Sequence, residues 1–530
     1  MKRRDFLKAT AVGGAAAATL GTRVRRASAV PQFGDVPADH ASIMVPKSQQ
    51  VGSILECFMY GGIVPWEGFY CVPEFGSTTA KTWHKAYPVD FANASMACGY
   101  DPANPFTPFA NDSGGRQIYL SPFLAPLIAR ADVVDRMRVV VNRHTLEPHE
   151  AAIPLTMSGK TLGSPSLASL GSHVARYFSD HDVDALHPSP FSYGFSIAQS
   201  FVPNDNILTM LATGLHPAAA RPLHIKTDNA IRLNALLNRG AVGTLDDRAR
   251  YDALLQIYDA QYQKRLQFGS SDKLLRAPRF GEFNASVSSL AHASDIQSML
   301  AASYLTAVKG TACTMRGCTG DKCSATSSPP GTSVVTTTPF EQPINNPYMA
   351  LRLATHLLTH DQFPAKHCMV VDTGLKEADG GGGYDTHSET PFTQARNMNN
   401  FFNSLLPMVN KPGENDPNKI DLNKTMIILN MEFGRTPGLQ GGNTGRNHWP
   451  YGYTQIYIGG PAQKGVYGVI PENGQASTYT TPAENRIAAL LALGIWPFDS
   501  ASYSGSNVQN ETLEGKAVQS VLKRVLGIQV

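Results

Sequence analysis

The chain is short of charge. Only 16% of its 530 residues are Asp, Glu, Lys or Arg, and 42 acids nearly balance 45 bases. The basic patch that nucleic-acid or anionic-membrane binding needs is therefore not expected. Beyond the N-terminus no run reaches about eighteen apolar residues, so no stable membrane span is predicted. The sequence also has no CxxCH haem site, no iron–sulfur cysteine spacing, no CxxC pairs of the zinc-knot kind and no dinucleotide-binding glycine fingerprint. These absences count against a haem or redox protein. No internal repeat at solenoid spacing is found either.

What stands at the N-terminus is an address. Lys2, Arg3, Arg4, Asp5, Phe6, Leu7 and Lys8 form a twin-arginine pattern, followed by a small, weakly apolar run from Ala11 to Leu20 and the small-residue triplet Ala27, Ser28, Ala29. This order reads as a twin-arginine (Tat) export signal over residues 1–29, cut after Ala29. It implies the Tat translocase as a partner and a periplasmic or secreted destination. The leader carries seven bases and one acid, a net +6, so the whole-chain charge of +3 becomes −3 once it is removed. The basic character belongs to the leader.

Seven cysteines are an odd set for an exported chain, so at least one is free or pairs outside it. Cys313, Cys318 and Cys323 recur every five residues in a loop rich in Gly, Ser, Thr and Pro, a pattern that favours a disulfide over a metal knot in an oxidising compartment. Cys57 and Cys368 lie in apolar runs and read as buried thiols.

The apolar runs set the fold class. Val51 to Tyr60 and Met137 to His144 read as buried strands, with a helical pattern from Leu124 to Arg136 between them and irregular structure over 77–118. The second strand is expected to end in a polar loop holding His144 and His149. From Pro347 the rhythm continues with a helix at Tyr348 to Leu358, a strand at His367 to Val371, a helix at Thr393 to Val409, and strands at Lys424 to Leu429 and Thr454 to Ile458. Helices at Ala483 to Leu493 and Leu513 to Leu526 close the chain. Strands alternating with helices predict an α/β fold with a doubly wound, mostly parallel sheet. Residues 195–345 show helical patterns, such as Asp246 to Gln267, and no buried-strand run. The expected organisation is thus a first core part at 30–194, a largely helical insertion with the cysteine loop at 195–345, and a second core part at 346–530.

Polar clusters follow the apolar runs of the second core part. Asp385 and His387 come after a glycine-rich turn, where positive φ lets backbone approach a ligand, and an Asp-x-His pair offers a hard oxygen and an imidazole to a divalent metal. Glu432 and Arg435 follow the run MIILNM, and His448 stands in GRNHWP. His149 follows the second strand. Ligands collect at the carboxyl ends of strands in open α/β sheets, so these residues point to one shared site.

The order HxxA…MSG (His149 to Gly159), GGYDTH (Gly382 to His387), EFGRT (Glu432 to Thr436), GRNHW (Gly445 to Trp449) and GGPAQKGVYG (Gly459 to Gly468) resembles the exported bacterial family called domain of unknown function 1501, placed within the alkaline-phosphatase-like (sulfatase-like) superfamily. The resemblance implies an alkaline-phosphatase-like core and a binuclear site for divalent ions, zinc first, with manganese or calcium as alternatives. It implies His149, Asp385, His387, Glu432 and His448 as metal ligands and Arg435 as a clamp on a small anionic substrate, a phosphate or sulfate ester. The chain departs from that pattern twice. GGIVPWEG stands where GGxDG is usual, leaving Glu67 as the nearby acid, and Asn447 stands where an Asp usually precedes the histidine. Thr145, Thr156 and Ser158 lie where a nucleophile is wanted, none in a distinctive frame. The expectation is an exported metal-dependent hydrolase-like protein, with a catalytically silent envelope ligand-binding or assembly protein of the same fold as the alternative.

Overall fold

A computed structural model of the chain describes residues 33–76, 106–181, 191–196, 222–226, 346–373, 384–440 and 445–530, apart from 165–166, 362–363, 388–389 and 500–501, together with isolated positions between 253 and 323. The leader and most of 195–345 lie outside the described residues. The expected helix over Asp246 to Gln267 falls there almost entirely, and so does the cysteine pairing. For that pairing only the backbone of a short hairpin is described, Cys318–Thr319 against Lys322–Cys323.

Among the described residues eight strands form one sheet: β1 (Ser53–Met59), β2 (Met137–Asn142), β3 (Ser192–Ser196), β4 (Leu223–Lys226), β5 (His367–Asp372), β6 (Thr425–Asn430), β7 (Tyr453–Ile458) and β8 (Gly465–Tyr467). Their spatial order is β8-β2-β7-β6-β1-β5-β3-β4. Neighbours pair in parallel except at β6–β7 and β7–β2, so β7 alone runs against the rest. β1, β2, β5, β6 and β7 are buried at every position. A strand covered on both faces must be apolar on both, which is why these segments read as continuous runs rather than alternations.

Helices cover both faces. They are α1 (His149–Ser158), α2 (Leu170–His181), α3 (Asn346–Leu358), α4 (Thr390–Leu405), α5 (Pro482–Ala492) and α6 (Glu514–Val521). Leu55, Cys57 and Met59 of β1 pack with Leu351 of α3 and Met398 and Phe402 of α4. On the other face, Ile54, Met426 and Tyr457 pack with Leu170, Ile487, Leu490 and Val518. α1 lies on that same second face, Ile153 and Met157 meeting Phe58 and Val371. Such alternation of faces is what a doubly wound sheet requires. α5 is tied to the sheet by a buried network. Glu56 of β1 accepts from Arg486 and, at 2.8 Å, from Asn430. Burial opposes its charge, but Arg486 and His367 hold the carboxyl down at about 2. Cys57, Cys71 and Cys368 are buried and free.

Several expectations are corrected. Residues 107–120 are not irregular, because Thr107–Asn111 and Gln117–Leu120 pair as a hairpin. The segment 195–345 does contribute to the sheet, through β4 at its edge. The stretch from Leu124 to Arg136 breaks into two short helices, Ala125–Ile128 and Ala131–Val134. His149 opens α1 instead of sitting in a loop. Among the described residues no helix is long and apolar enough to cross a membrane.

Candidate functional site

The carboxyl ends of β1, β2, β5 and β6 lie on one edge of the sheet. β1 runs into Gly61 and Gly62, whose φ values of 97° and 84° are ones a side chain rarely adopts. There is also no room for a side chain. A Cβ on Gly61 would run into the backbone of Asp385, and one on Gly62 into the carbonyl of Phe433. The turn therefore brings the loops after β5 and β6 together over the end of β1.

β6 ends at Asn430, and Glu432 follows with its side chain fully buried. Its Oε1 accepts from the Gly61 N–H at 2.8 Å and lies 2.7 Å from Nδ1 of His149. His144 holds the same residue by its backbone. Its Nδ1 accepts from Leu146 N–H at 3.1 Å, which leaves the proton on Nε2 to donate to the Glu432 carbonyl at 2.6 Å. Burial pushes the His144 imidazole down to about 4, so it stays neutral in this role.

Arg435 and His448 face each other across a short hairpin, Gly434–Arg435 against His448–Trp449. His448 is packed by Phe433, whose ring stacks on it at 4.5 Å between centroids. His149 lies between Tyr60, at 5.0 Å, and Phe433, at 4.9 Å. Asp385 stands between them all. Its Oδ2 is 3.5 Å from His149 Nε2, and its Oδ1 is 3.5 Å from His448 Nε2 and 3.1 Å from His387 Nε2. Oδ1 also accepts from the Arg435 guanidinium. Burial alone would raise the Asp385 carboxyl, but Arg435 and the three histidines overcome it and hold it well below the usual carboxylate range. Burial likewise opposes a charge on His149, yet the carboxylates of Asp385 and Glu432 beside it push it up to about 9. His448 goes the other way, lowered first by burial.

One donor atom each from His149, Asp385 and His448 lie within 4.8 Å of one another. Nε2 of His149, Nε2 of His448 and Oε2 of Glu432 are buried and have no hydrogen-bond partner. Buried polar atoms are normally satisfied, and leaving one bare costs about 1–3 kcal/mol. Two such imidazole nitrogens converging on an ionised carboxylate are a donor set that suits a divalent transition metal or zinc. The residues present fit such an ion.

The predicted residues do not all stand alike. His149, Asp385 and His448 converge. Glu432 stands behind His149 and bonds its far nitrogen, the usual place of a carboxylate that orients a metal-binding histidine. The His387 side chain is 44% exposed, against 10% for His149 and 15% for His448, which puts it at the mouth. Arg435 is fully buried, and its guanidinium bonds Gly61 O, Arg446 O and Asp385. A fork so occupied is a fixed counter-charge rather than an open clamp. Glu67 does not reach the cluster. It is buried 2.7 Å from Arg446 Nε, and burial pushes its carboxyl up to about 7 despite that partner. Arg446 in turn holds the carbonyls of Thr436 and Pro437, steadying the hairpin that carries His448. Asn447 is exposed, and its Oδ1 accepts from His448 N–H at 2.9 Å. The hydroxyls of Thr156 and Ser158 donate to the carbonyls of Met431 and Pro154, and Thr145 is exposed. Arg446 and the orienting role of His144 were missed from sequence. A buried arginine in GRNHW and a histidine just past a strand end were the available signals.

Residues 379–521 match the family model described as "Protein of unknown function (DUF1501)", a span that holds Asp385, His387, Glu432, Arg435 and His448 but not His149. Residues 1–20 match the model of the twin-arginine translocation pathway signal sequence. No curated protein and no solved structure matches the chain. The signal places the protein in the twin-arginine export route, to the periplasm or beyond.

Proposed function

We propose that the exported protein binds a divalent cation through His149, Asp385 and His448, zinc first, and is a hydrolase of small anionic esters, phosphate or sulfate. The observation that carries this reading is the convergence on the ionised Asp385 of two buried imidazole nitrogens that make no hydrogen bond. When bound, the ion supplies Lewis-acid polarisation of an ester oxygen. The chain's own groups prepare for it. Glu432 fixes the ring orientation of His149. Arg435 keeps Asp385 ionised inside a buried site. His387, half-exposed and 3.1 Å from Asp385, lines the mouth of the site.

The second reading is a catalytically silent metal- or ligand-binding envelope protein. Its support is specific: the Thr156 and Ser158 hydroxyls are committed to carbonyls, and the Arg435 fork is occupied. One experiment separates the two. The mature protein is purified without chelator, its metal content measured, and hydrolysis of aryl phosphates and sulfates followed, beside a His149→Ala/His448→Ala variant. Bound metal with turnover, both lost in the variant, supports the hydrolase. Metal without turnover gives the silent reading, and a folded protein without metal sinks the hydrolase and leaves only a silent protein that binds a ligand without metal.

A further inference from the structure

We infer that Arg435 stands in the place of a second cation, so that the centre takes one metal ion and not the pair expected from the sequence. The inference rests on the metal-binding reading above and adds its stoichiometry.

A second ion beside the first would need, besides the bare Oε2 of Glu432, both Asp385 Oδ1 and His387 Nε2. Both already face Arg435. One terminal nitrogen bonds Asp385 Oδ1, and the other lies 3.5 Å from His387 Nε2. The guanidinium is not free to withdraw. Its Nε donates to Gly61 O at 2.8 Å, and a terminal nitrogen reaches Arg446 O at 3.3 Å. Gly61 is itself fixed by Glu432, so the arginine is anchored to the same turn that seats His149. Oε1 of Glu432 is occupied by Gly61 N–H and His149, so Glu432 offers a second ion only its bare Oε2, one donor where several are needed.

Charge points the same way. One divalent ion with Arg435, set against the carboxylates of Asp385 and Glu432, leaves a single net positive charge among these side chains. Two ions would leave three in a site whose walls include Tyr60 and Phe433. Uncompensated charge in such surroundings is costly, whereas a single excess charge is one that an incoming anion cancels.

The test is a metal count on the full mature protein, loaded with excess zinc and desalted, read by elemental analysis rather than by activity. The wild type is expected to hold one equivalent, and Arg435→Lys and His387→Ala one each, because neither change touches the three donors. Arg435→Met, checked for folding by circular dichroism, is expected to rise towards two. Two equivalents in the wild type, with one lost in His387→Ala, overturn the inference while leaving the metal-binding reading intact. One equivalent in a folded Arg435→Met variant overturns the assignment to Arg435. No bound zinc in the wild type overturns the metal-binding reading itself, and the inference with it.

Discussion

Nδ1 of His149 lies 2.7 Å from Oε1 of Glu432, and that contact divides the imidazole into two ends with different tasks. One end is held by a buried carboxylate. The other, Nε2, is left buried and unpartnered beside Asp385 and His448. A carboxylate behind a histidine fixes the tautomer and ring plane and raises the basicity of the outward nitrogen.

Glu432→Gln is therefore expected to weaken zinc affinity by about 10–100-fold, the usual cost of losing such a partner. Gln keeps an acceptor for Gly61 N–H, so the fold survives. Competition against a chromophoric chelator measures the change. Affinity equal to the wild type in a folded variant would show that Glu432 does not orient His149.

Metal binding is expected to release a proton. In the metal-free protein His149 is pushed up to about 9 against burial, by Asp385 and Glu432, so it is protonated at neutral pH. A metal needs its neutral form, so affinity climbs with pH, by about tenfold per unit from one proton, and levels off above the raised value. Calorimetry in buffers of different ionisation enthalpy counts the protons. A buffer-independent heat would rule this out.

Gly61→Ala tests the turn. The φ of 97° costs any side chain about 1–2 kcal/mol, and the new methyl group would also press on the backbone of Asp385. A loss of about 3 kcal/mol or more in unfolding free energy is expected, with zinc binding impaired in the fraction that folds. Unchanged denaturation midpoints would mean that the turn is more accommodating than its geometry indicates.

The runs Val51 to Tyr60, His367 to Val371 and Lys424 to Leu429 could be read as buried strands because a sheet covered on both faces leaves no polar position to interrupt them. The edge strand β4, four residues long, carries no such run, and the hairpin over 107–120 is only half-buried, so neither left a clear pattern. The candidate site residues stood out for a related reason. Acids and histidines directly after buried strands are costly unless they are used or paired.

Their division of labour was not legible. Residue type alone cannot tell Glu432 from Asp385, or an open Arg435 from an occupied one, because each depends on partners far away in sequence. Gly61 is 371 positions from Glu432 and 374 from Arg435, and His149 is 283 from Glu432. The sequence by itself determined the export signal, the strand-and-helix alternation and the set of polar residues at the strand ends, since these are written in local patterns of charge and hydrophobicity. Only the tertiary structure decided which of those residues face one another, because that follows from how the Gly61–Gly62 turn and the hairpin of Arg435 and His448 pack over the sheet edge.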